Sequence, residues 1–143
     1  MKKLLLLFLL LAQSLGAQEW LTDFGQAKQQ AQLEDKYILL NFSGSDWCIP
    51  CIQMKEQIFA VDAFQQFASE KLILLNADFP RRGKNKLSKA QQASNDALAG
   101  RYNPEGQFPM TLLLDAEGKK LSSWKGLPQL SPEAFVEAIS DHL

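Results

Sequence analysis

The sequence is poor in metal-binding residues, since its 143 residues include only two cysteines and a single histidine, His142. A structural zinc site takes four nitrogen or sulfur ligands, which this chain cannot supply without a dimer or outside ligands. Covalent haem attachment is also disfavoured, because Ile52 rather than a histidine follows Cys51. We therefore expect neither a metal nor an external cofactor.

An excess of charge of one sign and long apolar runs are also missing. The formal net charge of −1 gives no general attraction to nucleic acid. The apolar run over residues 4–12 is too short to span a bilayer comfortably, and no later segment is long and apolar enough. This run follows Lys2 and Lys3 and precedes a group of small residues that ends at Ala17, which is the pattern of a secretory signal peptide.

We predict that residues 1–17 are a signal peptide cleaved near Ala17, and that residues 18–143 form one domain. A retained membrane anchor is the alternative. Cleavage removes Lys2 and Lys3 and changes the net charge from −1 to −3. Export places the cysteines in the periplasm or outside the cell, where a dithiol gives disulfides, rearranges them or is kept reduced by a donor.

The two cysteines lie in the segment Trp47 to Cys51, directly after an apolar run. Residues 37–42 indicate a buried strand and residues 48–59 a helix. Cys48 is therefore predicted at a helix N-terminus, where free backbone N–H groups and the helix dipole favour a thiolate. This makes Cys48 the attacking sulfur and Cys51 the shielded resolving thiol. The alternative is a stable local cross-link, which would constrain so short a loop only weakly.

The remaining chain alternates helical and strand patterns and has no internal repeats. The predicted helices cover residues 24–34, 61–70, 87–99 and 132–141. The predicted strands cover residues 71–79, 111–114 and 120–124, the last two forming an antiparallel hairpin. Asp23 and Ser131 are predicted N-caps, and Gly100 is a predicted helix stop. This order predicts an α/β protein with a mixed sheet and helices on both faces.

The strand, the Trp-Cys-x-x-Cys motif and the following helix resemble the thioredoxin superfamily. A second segment, Tyr102 to Leu114, is similar to the thioredoxin region in which a tyrosine and a glycine precede a cis-proline and a strand. Pro109 takes the place of that cis-proline. The resemblance covers nearly all of residues 20–143 and implies a thioredoxin fold, a three-layer α/β/α sandwich around a mixed central β-sheet. It also implies a protein-disulfide oxidoreductase whose only redox group is the Cys48–Cys51 pair.

The resemblance further implies a substrate site around the disulfide. In the family, the cis-proline packs against the disulfide and the backbone beside it receives the substrate chain. The residues predicted to bind substrate are Trp47, Pro50, Phe108, Pro109 and Met110. We expect Trp47, Phe108, Pro109 and Met110 to form an apolar rim for exposed hydrophobic segments. The alternative for Phe108 is a side chain that points into the core.

Two positions depart from thioredoxin. Asn41 takes the place of its buried aspartate, and an amide cannot exchange a proton as a carboxylate does. Glu56 stands where thioredoxin has a helix-kinking proline. We consider Glu56 a candidate proton acceptor for Cys51, the alternative being a surface glutamate.

The residues between the cysteines bear on redox direction. Strongly oxidising relatives tend to carry a histidine there, which stabilises the reduced form, whereas this chain has Ile49. The resemblance therefore favours a reductase that exchanges with the cysteines of exported proteins, is supplied by a membrane thiol-disulfide electron donor, and is a monomer. The alternatives are a disulfide isomerase and a thioredoxin-like chaperone or binding module without disulfide turnover.

The segment Arg81 to Lys86, here called the basic segment, is the one strong charge run in the chain. A solvated loop is the simpler interpretation. The alternative is a docking patch for an acidic partner.

Overall fold

A five-stranded sheet forms the centre of the molecule in a computed structural model that describes residues 16–143. The strands are β1 (Trp20–Leu21), β2 (Tyr37–Ser43), β3 (Leu72–Asp78), β4 (Met110–Leu114) and β5 (Lys120–Lys125). Their order in the sheet is β1-β3-β2-β4-β5. Strand β3 is parallel to both of its neighbours, β1 and β2, whereas β4 runs antiparallel to both β2 and β5.

Within residues 16–143, five α-helices surround the sheet. They are α1 (Phe24–Glu34), α2 (Ile49–Met54), α3 (Asp62–Lys71), α4 (Lys89–Tyr102) and α5 (Pro132–Ser140). A π-helical segment, Lys55–Phe59, continues α2, and a short 3₁₀ turn, Gly83–Asn85, lies in the basic segment.

The sheet has a separate hydrophobic core on each face. Along β2, Ile38 and Leu40 pack with α1 and α4, whereas Leu39 packs with α2, α3 and α5. This alternation arises because successive strand side chains point to opposite faces. Each fully buried leucine of this kind stabilises the fold by roughly 1.5–3 kcal/mol. The predicted three-layer architecture around a mixed sheet is therefore confirmed.

Several local predictions are confirmed by hydrogen bonds. The predicted bounds of α1 match, and the Asp23 carboxylate caps it by accepting the Gln26 N–H at 2.7 Å. The Ser131 hydroxyl caps α5 by accepting the Ala134 N–H at 3.1 Å. These caps involve residues three apart in the chain, so local sequence is sufficient to predict them.

Two other predictions need correction, and one strand was not predicted. The helix predicted over residues 48–59 changes from α to π geometry at Lys55. The predicted stop at Gly100 is wrong, because α4 continues to Tyr102. Leu98 and Tyr102 lie four residues apart and are both buried, and their packing outweighs the roughly 1 kcal/mol that a glycine costs inside a helix. The two-residue strand β1 was not predicted, since its geometry depends on pairing with β3.

The predicted signal peptide, residues 1–17, lies almost wholly outside the described residues. Gly16 and Ala17 are exposed. Over residues 16–143, the helices are all too short or too polar to cross a bilayer.

Candidate active site

Cys48 and Cys51 form a disulfide at the start of α2, with their Cα atoms 5.2 Å apart. Strand β2 ends at Ser43, and the chain turns through residues 44–47 before α2 begins. Cys48 is the N-cap residue of α2, as predicted, and its sulfur accepts the Cys51 N–H with an N–S distance of 3.3 Å. In the reduced protein the same N–H group and the helix N-terminus would favour a Cys48 thiolate.

The expected difference in exposure between the two cysteines is not found, since each is 5% exposed. The residues around them on α2 are more open. Ile49 is 67% exposed, Ile52 is 38% exposed, and Pro50 is also exposed. The disulfide therefore lies at the base of an apolar surface. The sequence did not identify the two isoleucines as part of it, although they lie on the helix face opposite Cys51 and Met54, where their spacing would have placed them.

An aromatic group that includes the residue before Cys48 consists of Trp47, Phe79 and Phe108. The Phe108 ring lies edge-on to Trp47, with ring centroids 5.4 Å apart, and to Phe79 at 5.6 Å. The Trp47 indole N–H donates to the Phe79 carbonyl at 2.8 Å. Phe108 is half-buried and contacts both the core and Trp47, and its role in binding substrate stays a prediction. Phe79 was not predicted as a member of this group.

Pro109 directly follows Phe108 of this group. The Phe108–Pro109 peptide bond is cis, as the resemblance implied. Pro109 is buried, and its carbonyl accepts the Gly126 N–H at 2.8 Å. Met110 is only 6% exposed and packs in the core between the sheet, α1 and α4. The predicted place of the Met110 side chain on the rim is thus corrected to a core position, because strand alternation directs it inward.

Behind α2 lies a polar row of three residues in register on the central strands, Asn41, Asn76 and Thr111. The Asn41 side-chain NH₂ donates to the Asn76 side-chain oxygen at 3.2 Å. The Thr111 hydroxyl donates to the Asn41 side-chain oxygen, also at 3.2 Å. Thr111 also contacts the sulfur of Met54, one helical turn after Cys51. These side chains are neutral, so they hydrogen-bond but provide no carboxylate behind the disulfide. Glu56 is exposed in the π-helical segment, and its role as a proton acceptor stays a prediction.

Asp46 attaches the basic segment to the site. Its carboxylate accepts the backbone N–H groups of Arg81 and Arg82 and the side-chain amide of Asn85, each at 2.9 Å. These bonds, led by the one from Arg81, lower the pKa of Asp46 to about 2. The Arg81 guanidinium stacks on the Trp47 ring, 3.6 Å from its centroid. This attachment was not predicted, because the partners are 35 residues apart in the chain.

Within the part of the chain that the structure describes, no three His, Cys, Asp or Glu side chains come together in a way that could hold a metal ion.

Comparisons with known proteins agree with this geometry. A thioredoxin-like family model matches residues 19–116. The chain is 37% identical over 99 residues to the disulfide bond reductase DsbH of Chlamydia pneumoniae, a match that covers 69% of this chain and 58% of that protein. The chain thus spans less than two thirds of the length of this curated relative.

Solved structures extend the comparison to most of the chain. A DsbH oxidoreductase is similar with a TM-score of 0.81 and 31% identity, over 90% of this chain and 85% of that one. A thioredoxin from Thermus thermophilus has a TM-score of 0.67 at 13% identity, over 88% of this chain and 87% of that one. The predicted thioredoxin fold is confirmed by these neighbours.

Proposed function

Because the chain belongs to the thioredoxin-like family, we propose that it is a thiol-disulfide oxidoreductase that reduces disulfides in exported proteins. The observation that best supports this function is the disulfide formed by its only two cysteines at the N-terminus of α2, beside exposed apolar side chains. A dithiol at this place has a sulfur available to a substrate and a second sulfur within bonding distance of the first.

The reaction begins with the reduced protein. The Cys48 thiolate attacks one sulfur of a substrate disulfide, so that a Cys48–substrate disulfide forms and the other substrate cysteine leaves as a thiolate. Cys51 loses its proton to solvent or to Glu56 and attacks the Cys48 sulfur. This step releases the second substrate thiol and forms the Cys48–Cys51 disulfide. Two electrons have then passed from the protein to the substrate, and a thiol donor must reduce Cys48–Cys51 before the next turnover.

The neutral polar row bears on the second step. In the reduced protein, Asn41 and Thr111 cannot take the proton of Cys51, because an amide and a hydroxyl do not titrate near neutral pH. Their hydrogen bonds instead hold the strands behind α2 in register. Deprotonation of Cys51 therefore depends on solvent or on Glu56.

Reduction is the favoured direction for two reasons. The curated relative is named a disulfide bond reductase. Ile49 and Pro50 between the cysteines also add no positive charge that would stabilise the reduced form and make the pair a strong oxidant. A reductase of this kind in the periplasm is supplied by a membrane thiol-disulfide electron donor, which we propose as its second partner.

Export is inferred from the sequence of residues 1–17, which has the charged start, apolar run and small-residue end of a signal peptide. We propose that the mature protein begins near Gln18 and acts in the periplasm or outside the cell, as a monomer.

The reduction potential of the Cys48–Cys51 pair tests this function. We would purify the protein from a periplasmic fraction, check by intact mass that residues 1–17 are absent, and equilibrate it against redox buffers. A reductase has a potential on the order of −270 mV, whereas a value on the order of −120 mV would identify an oxidant. The reduced protein should also cleave insulin disulfides, and Cys48→Ala should lower that rate to the background in solution.

Two results would contradict the proposal. A pair that exchanges with neither thiols nor disulfides would leave only a binding module, and a mass that retains residues 1–17 would remove the export proposal.

A further inference from the structure

We propose that the basic segment is a docking surface for acidic polypeptide, placed beside the redox disulfide. The occupant is a partner protein whose Asp or Glu side chains flank the cysteine that reacts with Cys48. This inference rests on the proposed function, since it names the class of substrate that the disulfide site prefers.

The basic segment is held by the residues that lead into α2. Asp46 accepts three hydrogen bonds from it, each at 2.9 Å. Ser45, the residue before Asp46, donates its backbone N–H to the Asp78 carboxylate at 2.9 Å and its hydroxyl proton at 2.6 Å. Asp46 precedes Cys48 by two residues, so their Cα atoms are at most about 7 Å apart. The attachment point of the segment is therefore next to the reactive cysteine.

Arg81 brings a positive charge onto the aromatic group itself. Its guanidinium lies 3.6 Å from the Trp47 ring centroid, and the Trp47 indole is fixed in turn by its hydrogen bond to Phe79. A stacked guanidinium keeps its N–H groups free to point outward towards carboxylates. A substrate chain over Trp47 would therefore meet a cation as well as an apolar surface.

The charges near the site are strongly unequal in sign. Five exposed cations lie between residues 81 and 89, namely Arg81, Arg82, Lys84, Lys86 and Lys89. The two carboxylates at the attachment of this segment, Asp46 and Asp78, accept hydrogen bonds from neutral groups and carry one formal negative charge each, so an excess of three formal positive charges remains. The chain as a whole is slightly acidic, with a net charge of −1, so these cations are a local concentration rather than a general property.

This arrangement selects an acidic partner by charge complementarity. At about 0.1 M ionic strength the Debye length is roughly 10 Å, so a partner that docks over Cys48 stays within range of the segment. Complementary charge raises association rates by about tenfold or more, and like charge lowers them. Because Asp46 already holds the backbone of the segment, little backbone freedom is lost on binding.

The test compares three synthetic peptides with the same central disulfide, flanked by aspartates, by serines or by lysines. The rate constant for reaction with the reduced protein is measured for each. We expect the acidic peptide to react about tenfold faster than the basic one at an ionic strength of about 20 mM, with the ratio approaching one at about 0.5 M. The double variant Arg82→Glu, Lys84→Glu should reverse the order.

The matched control is Lys119→Glu, Lys120→Glu, which makes the same change of charge at the opposite end of the sheet. Lys120 pairs with Leu114, which pairs with Ile38 near the start of β2, whereas Cys48 follows the end of that strand. This variant should keep the wild-type ratio between peptides.

The outcomes separate this inference from the proposed function. If the serine peptide reacts but the acidic and basic peptides react equally, the docking surface is wrong and the oxidoreductase stands. If no peptide reacts, the proposed function itself fails. If the segment instead drives binding to vesicles of anionic phospholipid without discriminating between peptides, it is a membrane contact and the inference is also overturned.

Discussion

The two ends of the sheet are built from the same interactions but leave different surfaces. At the disulfide end, Asp46 accepts backbone N–H groups of the basic segment, and Arg81 stacks on Trp47. At the opposite end, Asp115 accepts the N–H groups of Glu117 and Lys119. Arg101 lies over Tyr102, 4.8 Å from the ring centroid.

The ends differ in what these interactions hold. Tyr102 is 9% exposed and donates its hydroxyl proton to the carbonyl of the buried Gly118, so this ring is shielded from solvent. Burial also raises the pKa of Tyr102. Trp47 is only half-buried, and the neighbouring Ile49 is 67% exposed. Similar attachments therefore hold a buried aromatic ring at one end and a half-exposed one at the other.

The largest effect is expected for a substitution of Gly118, at the end of the sheet opposite the disulfide. It has a φ of +92°, and a Cβ there would lie 2.9 Å from Phe24 and 3.0 Å from the Tyr102 hydroxyl. Gly118→Ala should lower the free energy of unfolding by about 3 kcal/mol, because backbone strain and overpacking add together. Urea denaturation measures this loss, and the rate of disulfide reduction should not change in the folded variant.

The matched control for Gly118 is Gly106→Ala. Gly106 also has a positive φ, +67°, but a Cβ there would meet no atom within 4 Å. Its cost should be limited to about 1 kcal/mol of backbone strain. Equal losses for the two variants would show that the opposite end is not closely packed.

A substitution of Gly44, at the disulfide end, should affect activity more than stability. A Cβ at Gly44 would overlap the Trp47 ring, so Gly44→Ala should displace the indole from Phe79 and Arg81. We expect insulin reduction about tenfold slower, with a smaller change in stability than for Gly118→Ala, because Trp47 has solvent into which it can move. Stopped-flow kinetics and tryptophan fluorescence measure the two effects.

Gly100→Ala is the control for this second substitution, since Gly100 lies outside the basic segment and a Cβ there would meet no atom within 4 Å. It should keep the wild-type rate. A Gly44→Ala protein that is as active as the wild type would show that the position of Trp47 does not matter for turnover.

The smallest expected effect is the titration of Asp46. Its pKa falls from 3.8 to about 2 in the folded protein, so it contributes to stability fully above pH 3.8. This contribution is lost as the pH falls through about 2, where the carboxylate takes up its proton. The amide proton shifts of Arg81 and Arg82, followed by NMR, should therefore titrate with a midpoint near pH 2.

Asp46→Asn supplies the comparison for that titration. The two amide shifts should then show no acidic midpoint. A midpoint near pH 4 in the wild type would mean that Asp46 does not hold the basic segment in solution.

The sequence predicted what depends on local patterns. The bounds of α1, the Asp23 cap and the place of Cys48 at the start of α2 each involve residues within a few positions of one another. The cis peptide before Pro109 was predicted from family resemblance rather than from physical reasoning.

The features that were missed depend on distant residues. Asp46 binds a segment 35 residues away, and β1 exists only through its pairing with β3. Gly100 lies inside α4 because Tyr102 packs on Gly118, which is far along the chain. Pairwise contacts of this kind are not encoded in periodicity or capping signals.

The strand order has a last consequence for self-association. A sheet with exposed edges is a template on which a second chain can add a strand and begin to aggregate. Here one edge is β1, which is only two residues long. The other is β5, which begins and ends with the exposed lysines Lys120 and Lys125. Neither edge presents a long uncharged strand, so the fold resists polymerisation through its backbone while its reactive end stays open to other chains.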